Sequence, residues 1–335
     1  MLHEFRQDPV SGDWVLFSTE RGLKPHPKEE SFYQPKENCF FEPERMSSQE
    51  TPVLVYHRGQ IVPDLSGEWT TVVVPNKYPA LQKGVCSPVV QSGLFAVAEG
   101  AGFHELVITR DHEKSFAQFT KEETSEVIHA YRDRYQAIAA DGCGAYVSIF
   151  HNHGHLAGAS VFHNHSQIIS VPMIPSVIAR HLDNTREYFE KNGVRLHDAL
   201  LQWERTEAKR IVYENEHFVV LCPYVSRTAY EMKIVPKTSR ASFGEISDGE
   251  IVFLADALNT ALAKLSKALQ NPDYAFLIHT APAAQGGEAY DPFYVWNIEI
   301  MPRFTIDAGL ELETNVQVNS VDPDDAAKLL RETLI

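Results

Sequence analysis

Basic residues, cysteines and long apolar runs are all scarce in this chain of 335 residues. Lysine and arginine number 30 against 45 aspartates and glutamates, which gives a formal net charge of -15 that no basic stretch offsets. This balance argues against nucleic acid and anionic membrane surfaces as partners, because both bind clustered positive charge. A small anionic ligand stays compatible, since a local cluster of donors can bind phosphate within an acidic envelope.

No apolar run approaches the roughly 18 residues that a membrane-spanning helix needs. The amino-terminal residues also lack the apolar core of a signal peptide. The four cysteines lie far apart, so we expect no disulfide framework. We therefore expect a cytoplasmic protein that does not contact a membrane.

Histidine, in contrast, is abundant. The chain contains 15 histidines, and six of them fall between His151 and His181. Hydrophobic residues make up 44% of the chain and charged residues 22%, as in an ordinary globular protein. The length allows about two domains with ample core, so the histidine cluster is the first indication of function.

An internal repeat organises the chain. Residues 104–123 and 230–250 each begin with a short apolar strand pattern and end in a capping box. The boxes are Thr120 with Glu123 in the first copy and Ser247 with Glu250 in the second. A helix with one apolar face follows each box, and a β-rich segment follows each helix. The pattern predicts an α+β fold of two units, each a twisted antiparallel sheet packed on a helix.

The repeat places the domain boundary near residue 175. We expect the first unit, with the histidine cluster, in residues 1–175 and the second in residues 176–335. Residues 176–209 have the apolar spacing of amphipathic helices and predict a connector. About the first 65 residues are rich in proline, glycine and charge, which predicts an irregular arm and no third core.

Three polar side chains, His163, His165 and Gln167, alternate along a predicted strand. Because side chains on a strand repeat every two residues, we expect all three on one face, converging on one point. The loop before them contains Gly154 and Gly158, and such a loop can present backbone N–H groups to a phosphate.

Several interpretations of this segment compete. Histidines that only satisfy hydrogen bonds are disfavoured, because three polar groups on one strand face are costly to bury without a purpose. A metal site alone is disfavoured because Gln167 is a poor zinc ligand. The letters HNH at positions 151 and 163 do not indicate a nuclease, because that name describes residues spread over a ββα metal unit and the charge opposes DNA.

Nucleophilic catalysis at phosphorus is favoured. A neutral imidazole is a good nucleophile near pH 7, and its phosphoramidate is labile enough to pass the group on. One ring nitrogen would attack, while an acceptor such as a backbone carbonyl would hold the other. The amide of Gln167 can donate to a phosphoryl oxygen, where negative charge must be stabilised.

The same residues resemble a known family. The active-site segment of galactose-1-phosphate uridylyltransferases, in the histidine-triad superfamily, is similar to a stretch that contains Asn152, Gly158, Ser160, His163, His165 and Gln167. The resemblance extends over nearly the whole chain, through residues 6–15, 76–81, 296–303 and 308–312. It implies a duplicated histidine-triad fold, which agrees with the repeat, and a homodimer. Because the second copy lacks His-x-His, we expect the first copy alone to carry the chemistry.

The resemblance implies a ping-pong nucleotidyltransferase whose partners are a nucleotide sugar and a sugar 1-phosphate. His165 would take UMP from UDP-glucose, and galactose 1-phosphate or a related hexose 1-phosphate would then accept it. Hydrolases of the superfamily have histidine at the position of Gln167, so glutamine here is similar to the transferase branch. Two alternatives stay open: a phosphorylase that transfers AMP from ADP-glucose or a dinucleoside polyphosphate to phosphate, and a nucleotide-binding protein without turnover.

The match also implies which residues contact the substrates. Arg21 and Asn76 correspond to the nucleotide end, and Glu311 and Gln317 to the sugar end. The full set of substrate-contacting residues is Arg21, Asn76, Asn152, Gly158, Ser160, Glu311 and Gln317.

A structural zinc is also implied by the resemblance. Many family members bind it through Cys-x-x-Cys, a later histidine and the first histidine of His-x-His. The corresponding residues here are Cys39, Glu42, His112 and His163. Carboxylates bind zinc, so a tetrahedral set with Glu42 is one interpretation; the other is a site that has been lost. The second, iron-binding site of some members matches poorly around His279, and we do not expect iron.

Overall fold

The computed structural model describes residues 2–22, 32–84, 89–283 and 289–335. The strands are β1 (His3–Gln7), β2 (Trp14–Ser18), β3 (Leu54–His57), β4 (Gln60–Ile61), β5 (Thr71–Pro75), β6 (Val90–Ser92), β7 (Phe95–Val97), β8 (His104–Thr109), β9 (Tyr146–His153), β10 (His165–Val171), β11 (Ile211–Glu214), β12 (Phe218–Leu221), β13 (Met232–Pro236), β14 (Tyr274–His279), β15 (Asn297–Pro302) and β16 (Gln317–Asn319). The helices are α1 (Lys121–Asp141), α2 (Ser176–Asn192), α3 (Leu196–Glu207), α4 (Asp248–Leu269), α5 (Gly309–Thr314) and α6 (Pro323–Glu332). None of the described helices is both long and apolar enough to cross a membrane.

One eleven-stranded antiparallel sheet dominates the fold, in the order β11-β12-β13-β15-β14-β9-β10-β8-β5-β3-β4. The two halves meet where β9 pairs with β14, with Ile149 opposite Ile278. The repeat expected from the sequence therefore forms two half-sheets. They are hydrogen-bonded into one continuous sheet, whereas the sequence predicted a separate sheet in each unit.

Helices α1 and α4 cover one face of this sheet. The predicted capping boxes are both formed: Thr120 accepts from the Glu123 N–H and Ser247 from the Glu250 N–H. Both helices bury apolar residues against the sheet in the largest core cluster. The caps fix where each helix begins, and its apolar face packs on the sheet. Each half-sheet is thus covered by one helix, as the sequence predicted.

The opposite face is covered differently in the two halves. Over the second half, α2 and α3 form the predicted helical connector, and Leu182 of α2 packs with Tyr146 and Tyr294. Over the first half, Cys39 and Phe41 of the amino-terminal arm join a cluster that includes residues of β5 and β8. The arm therefore lies beside β10, the strand that contains the predicted catalytic residues.

The expectation of an irregular arm is wrong for residues 54–61, where β3 and β4 join the large sheet, and for the first residues of the chain. Strands β1 and β2 form a hairpin, and β16 adds to β2 as a parallel strand in a separate three-stranded sheet. Phe17 and Val15 are buried in a small cluster with Val225. The amino-terminal strands thus pack on the second unit, a long-range pairing that local composition does not reveal.

Candidate active site and metal-binding cluster

His165 begins β10 and is 8% exposed. Its Nδ1–H donates to the carbonyl oxygen of His163 at 2.9 Å, which leaves the lone pair on Nε2. The ring of Phe41 packs edge-on against the imidazole, with centroids 5.2 Å apart. Burial lowers the pKa of His165. The imidazole is therefore held neutral and in one tautomer. Its Nε2 is free to act as a nucleophile, because no described residue donates a hydrogen bond to it.

His163 lies just before β10, so the strand itself contains only His165 and Gln167 of the predicted triple. The Nδ1 of His163 lies 3.5 Å from the Sγ of Cys39 and 3.4 Å from Oε1 of Glu42. The Nδ1 of His112 lies 2.6 Å from the same carboxylate oxygen. One ligand atom from each of these four residues lies within 4.8 Å of all the others. The structure thus assembles the predicted metal-binding set.

The histidine tautomers show that this cluster fits a cation. The Nε2–H of His163 donates to the carbonyl of Thr109 at 2.6 Å, and the Nε2–H of His112 to that of Gln34 at 2.7 Å. Both Nδ1 atoms therefore present lone pairs to the oxygen of Glu42, so acceptors face acceptors inside the protein. Backbone carbonyls that orient imidazoles in this way are typical of metal sites.

The thiol of the cluster points to the same conclusion. Cys39 is fully buried, and burial raises the pKa of its thiol. A thiolate at this position needs a nearby cation. Cysteine, carboxylate and two imidazoles form a set that suits a tetrahedral divalent metal.

Gln167 is joined to the turn that contains Asn76 through His104, a residue that the sequence analysis missed. His104 Nε2 lies 2.9 Å from Oε1 of Gln167, and its Nδ1 accepts from the N–H of Ala80 at 3.0 Å. Asn76 donates its backbone N–H to the carbonyl of His104, and its side-chain oxygen accepts from the Tyr78 N–H. The sequence carried one signal for His104, its place in the apolar pattern that opens the repeat.

The glycine loop lies between β9 and β10. Gly154 has a φ of +82°, and a Cβ there would lie 2.0 Å from the carboxylate of Asp273. That carboxylate accepts the N–H of Leu156 at 2.7 Å and so fixes the loop. Gly158 has a φ of +85°, and a Cβ there would lie 3.8 Å from the amide nitrogen of Asn152.

The loop is also open to a ligand. Gly158 and Ser160 are exposed, and Asn152 is half-buried at the end of β9. Gly158 and Ser160 therefore lie on an accessible loop near the start of β10, with Asn152 beside it at the end of β9, where a phosphate could reach them.

Three predicted substrate contacts lie elsewhere in this chain. Arg21 is exposed at the end of a short turn after β2. Glu311 and Gln317 line a small cavity of about 50 Å³ that Arg227 and Arg303 also line. The carboxylate of Glu311 accepts the N–H of Ala308 and caps α5. The structure thus groups Glu311 with Gln317 in the second half and joins neither of them to His165.

Known proteins resemble this chain along its whole length. A family model described as galactose-1-phosphate uridyl transferase, N-terminal domain, matches residues 1–175, and one for a domain of unknown function (DUF4921) matches residues 94–335. ADP-glucose phosphorylase of Arabidopsis thaliana is 31% identical over 333 residues, which cover 98% of this chain and 92% of that protein. Galactose-1-phosphate uridylyltransferase of Thermotoga maritima is 28% identical over 342 residues, 99% of each chain.

A solved structure gives the same result for the fold. The crystal structure of an Arabidopsis thaliana ADP-glucose phosphorylase with bound ADP-glucose aligns over 100% of both chains, with a TM-score of 0.83 and 28% identity. The α+β fold and the resemblance inferred from the sequence are therefore confirmed. The chain belongs to the galactose-1-phosphate uridyl transferase family.

Proposed function

We propose that this nucleotidyltransferase passes a nucleoside monophosphate from a nucleotide sugar to a phosphate acceptor through a covalent intermediate on His165. The observation that carries the proposal is the hydrogen bond from His165 Nδ1–H to the His163 carbonyl. It fixes the proton on one nitrogen and leaves the other free to attack. An oriented, unshared lone pair on a neutral imidazole is what attack on phosphorus requires.

The first half-reaction breaks one bond and forms one. Nε2 of His165 attacks the α-phosphorus, a P–N bond forms, and the P–O bond to the sugar 1-phosphate breaks. The ring becomes positively charged while the proton stays on Nδ1, so its hydrogen bond to the His163 carbonyl strengthens as the charge develops. In the second half-reaction an oxygen of the acceptor attacks phosphorus and returns the neutral imidazole.

Phosphoryl oxygens would be held by the amide of Gln167 and by the loop of Asn152, Gly158 and Ser160. The N–H of Gly158 donates to the carbonyl of His155 at 2.9 Å, so Gly158 would shape the loop while the side chains of Asn152 and Ser160 contact the phosphate. Asn76 lies in the turn that His104 joins to Gln167, which supports a place for the nucleoside beside it. The roles of Arg21, Glu311 and Gln317 stay predictions, because the structure does not join these residues to His165.

Two donors are candidates. ADP-glucose with inorganic phosphate as acceptor is favoured by the 31% identity to an ADP-glucose phosphorylase. The TM-score of 0.83 to the crystal structure of an ADP-glucose phosphorylase supports the same donor. UDP-glucose with galactose 1-phosphate as acceptor, the activity expected from the sequence, is supported by the 28% identity to an uridylyltransferase. The same nucleophile serves both, so the experiment must identify the base.

We also propose zinc as the metal of the cluster formed by Cys39, Glu42, His112 and His163. When bound, the metal would neutralise the thiolate and carboxylate and fix the ring of His163. Its proposed contribution is structural, because His163 in turn holds the ring of His165 through its carbonyl. The homodimer and the cytoplasmic location stay predictions.

The test is covalent labelling. Purified protein is mixed with ADP-glucose or UDP-glucose, each labelled in the α-phosphate. The reaction is quenched with denaturant at alkaline pH, where the P–N bond of a phosphoramidate survives, and the labelled residue is mapped by peptide mass spectrometry. We expect the label on His165 with one of the two donors. Release of labelled nucleoside diphosphate by phosphate would indicate the phosphorylase, and formation of a labelled nucleotide sugar from galactose 1-phosphate the uridylyltransferase.

The His165→Gly variant should lose transfer by several orders of magnitude. Its cavity could admit free imidazole, which would then accept the nucleotide and leave as a phosphorimidazolide. His163→Gly is the matched control, and imidazole should not restore its activity, because its ring faces the metal cluster. No label on the wild-type protein with any nucleotide sugar, or label on another residue, would contradict the proposed function.

A further inference from the structure

His104 contacts both the catalytic amide and the turn near the proposed nucleoside site. It begins β8 and lies opposite Ile169 of β10, while Leu106 lies opposite Gln167. Residues directly opposite on antiparallel strands share a face of the sheet, so His104 and Gln167 are diagonal neighbours on the face of His165. His104 takes no part in the reaction steps proposed above and is not one of the four metal-binding residues.

The hydrogen bonds fix the tautomer of His104. The Ala80 N–H can only donate, so Nδ1 of His104, 3.0 Å away, carries no proton. A neutral imidazole then has its single proton on Nε2. Two side-chain atoms lie near Nε2: Oε1 of Gln167 at 2.9 Å and Nδ2 of Asn76 at 3.1 Å. The oxygen of Asn76 is already held by the Tyr78 N–H, so the acceptor available to Nε2–H is Gln167.

This donor decides which end of the Gln167 amide faces the substrate. An amide can rotate by half a turn with little change of shape, and the rotation exchanges its oxygen for its nitrogen. With Oε1 held by His104, the NH2 group stays free, and no described residue accepts a hydrogen bond from it. An NH2 group stabilises a phosphoryl oxygen, whereas a carbonyl oxygen in its place would repel it.

We propose that His104 is a positioning residue that holds the Gln167 amide with its N–H groups towards the transferred phosphate. The proposal rests on the proposed nucleotidyl transfer. The N–H of Ala80 sets the tautomer of His104, and that tautomer sets the orientation of the Gln167 amide. The turn of residues 76–80 thus influences the reacting phosphate through His104 and Gln167. Because the amide donates to charge that grows during attack, His104 should affect the rate of attack more than the affinity for the donor.

Three substitutions separate this role from support of the turn. Glutamine places an N–H close to the position of the histidine Nε2, so His104→Gln keeps the donor to Gln167. Asparagine places an oxygen close to Nδ1, so His104→Asn keeps the acceptor for Ala80 and loses the donor. His104→Leu loses both. His3→Gln, at an exposed position on β1, is the matched control for the chemical change.

Single-turnover labelling of His165 and equilibrium binding of the donor are measured for each variant. We expect His104→Leu and His104→Asn to slow labelling about 10- to 100-fold, with little change of Kd. This loss is smaller than the roughly 100- to 1000-fold that follows removal of an oxyanion donor itself, because the Gln167 amide is still present but no longer oriented. His104→Gln should keep most of the rate. In the Gln167→Ala background, His104→Leu should add no further loss. A rate kept by asparagine and lost by glutamine, or an equal loss in all three variants, would overturn the proposal.

A measurement without substrate separates this proposal from the proposed function. Long-range proton–nitrogen NMR spectra of protein labelled with ¹⁵N in histidine give the tautomer of His104, assigned by the signal missing in His104→Gln. We expect a protonated Nε2 whose proton exchanges faster with water in Gln167→Ala. A proton on Nδ1 would overturn the proposal even in an active enzyme. If the wild-type protein forms no label, the proposed function fails, and this spectrum still decides the hydrogen bond.

Discussion

The backbone carbonyl of His163 accepts the Nδ1–H of His165, while the ring of His163 faces Cys39 and Glu42. One residue therefore belongs both to the cluster that fits a metal and to the support of the proposed nucleophile. Any displacement of His163 moves the acceptor that sets the tautomer of its neighbour. We therefore expect metal binding by this group of side chains and the reaction at His165 to be linked through the position of His163.

Replacement of Cys39 by serine tests whether this cluster binds a metal. Purified wild-type protein should contain about one zinc per chain, and Cys39→Ser should lower the metal content and the melting temperature. Removal of one of four ligands weakens metal binding and leaves the half-buried Glu42 carboxylate and the lone pairs of His112 and His163 poorly compensated. Elemental analysis and thermal unfolding give the two values.

Cys222→Ser is the control, because Cys222 is also a buried free cysteine but lies in the second unit. It should keep the metal whatever it does to stability. Wild-type protein free of zinc after purification without chelators would remove the metal from the proposal. The assignment of His165 would still stand, since the metal takes no part in bond making.

The glycine loop offers a second prediction. Gly154→Ala places a Cβ against Asp273, whose carboxylate fixes the N–H of Leu156, in a left-handed conformation that alanine disfavours. We expect a loss of stability and about tenfold slower labelling of His165, because the loop that is proposed to hold the phosphate shifts. Gly193→Ala is the matched control, with a φ of +71° and no atom within 4 Å. Equal effects on labelling would show that the loop does not position the substrate.

Much of the fold follows from local sequence. The capping boxes at Thr120 and Ser247 fix where α1 and α4 begin, because a side-chain oxygen and a carboxylate at a set spacing satisfy free N–H groups. The spacing of His165 and Gln167 likewise predicts a shared face, since alternation is a property of any strand. Resemblance added Cys39, Glu42 and His112, which lie far from His163 in the sequence.

The remaining features depend on contacts between distant segments. The pairing of β16 with β2 joins residues about 300 positions apart, and no local pattern encodes it. The fusion of the half-sheets through β9 and β14 needs two strand edges to meet in a definite register. His104 could not be predicted because its partner, Gln167, depends on the register between β8 and β10.

The second unit provides a third prediction. His279 ends β14 and lies near the start of the neighbouring strand β9. His165 begins β10, on the other side of β9, and lies near the end of β9. Nε2 of His279 lies 2.8 Å from the buried carboxylate of Glu299. Burial alone would raise the pKa of Glu299. The hydrogen bond from His279 and the charge of Lys233 outweigh burial and hold this pKa well below its usual range.

His279→Ala should therefore destabilise the protein, because a buried carboxylate loses its partner. The rate of His165 labelling per folded molecule should stay within about threefold of wild type, since the two residues lie near opposite ends of β9. The rate is measured below the unfolding transition of the variant. A loss as large as that of His165→Gly, in a folded variant, would show that the second unit supplies a catalytic group.

The connector helices carry an acid-sensitive residue, His197 of α3. Its ring is buried edge-on against Tyr294, with centroids 5.3 Å apart, and no described group hydrogen bonds to its Nδ1. Burial, with a contribution from the charge of Lys233, lowers the pKa of His197 to about 4, although Asp8 and Asp198 oppose the shift. The folded protein thus keeps this imidazole neutral well below its usual pKa.

The sign of the pH effect follows from that shift. The unfolded chain binds a proton at His197 below about pH 6.5, while the folded chain binds it only near pH 4, so the free energy of unfolding decreases as the pH falls between these values. His197→Phe keeps an aromatic ring against Tyr294 and removes the proton site. Urea unfolding at about pH 7.5 and pH 5 should show a decrease smaller by about 2 kcal/mol in this variant than in wild type. His3→Phe, at an exposed position, should leave the decrease unchanged. The same decrease in His197→Phe and wild type would show that other groups cause the acid sensitivity.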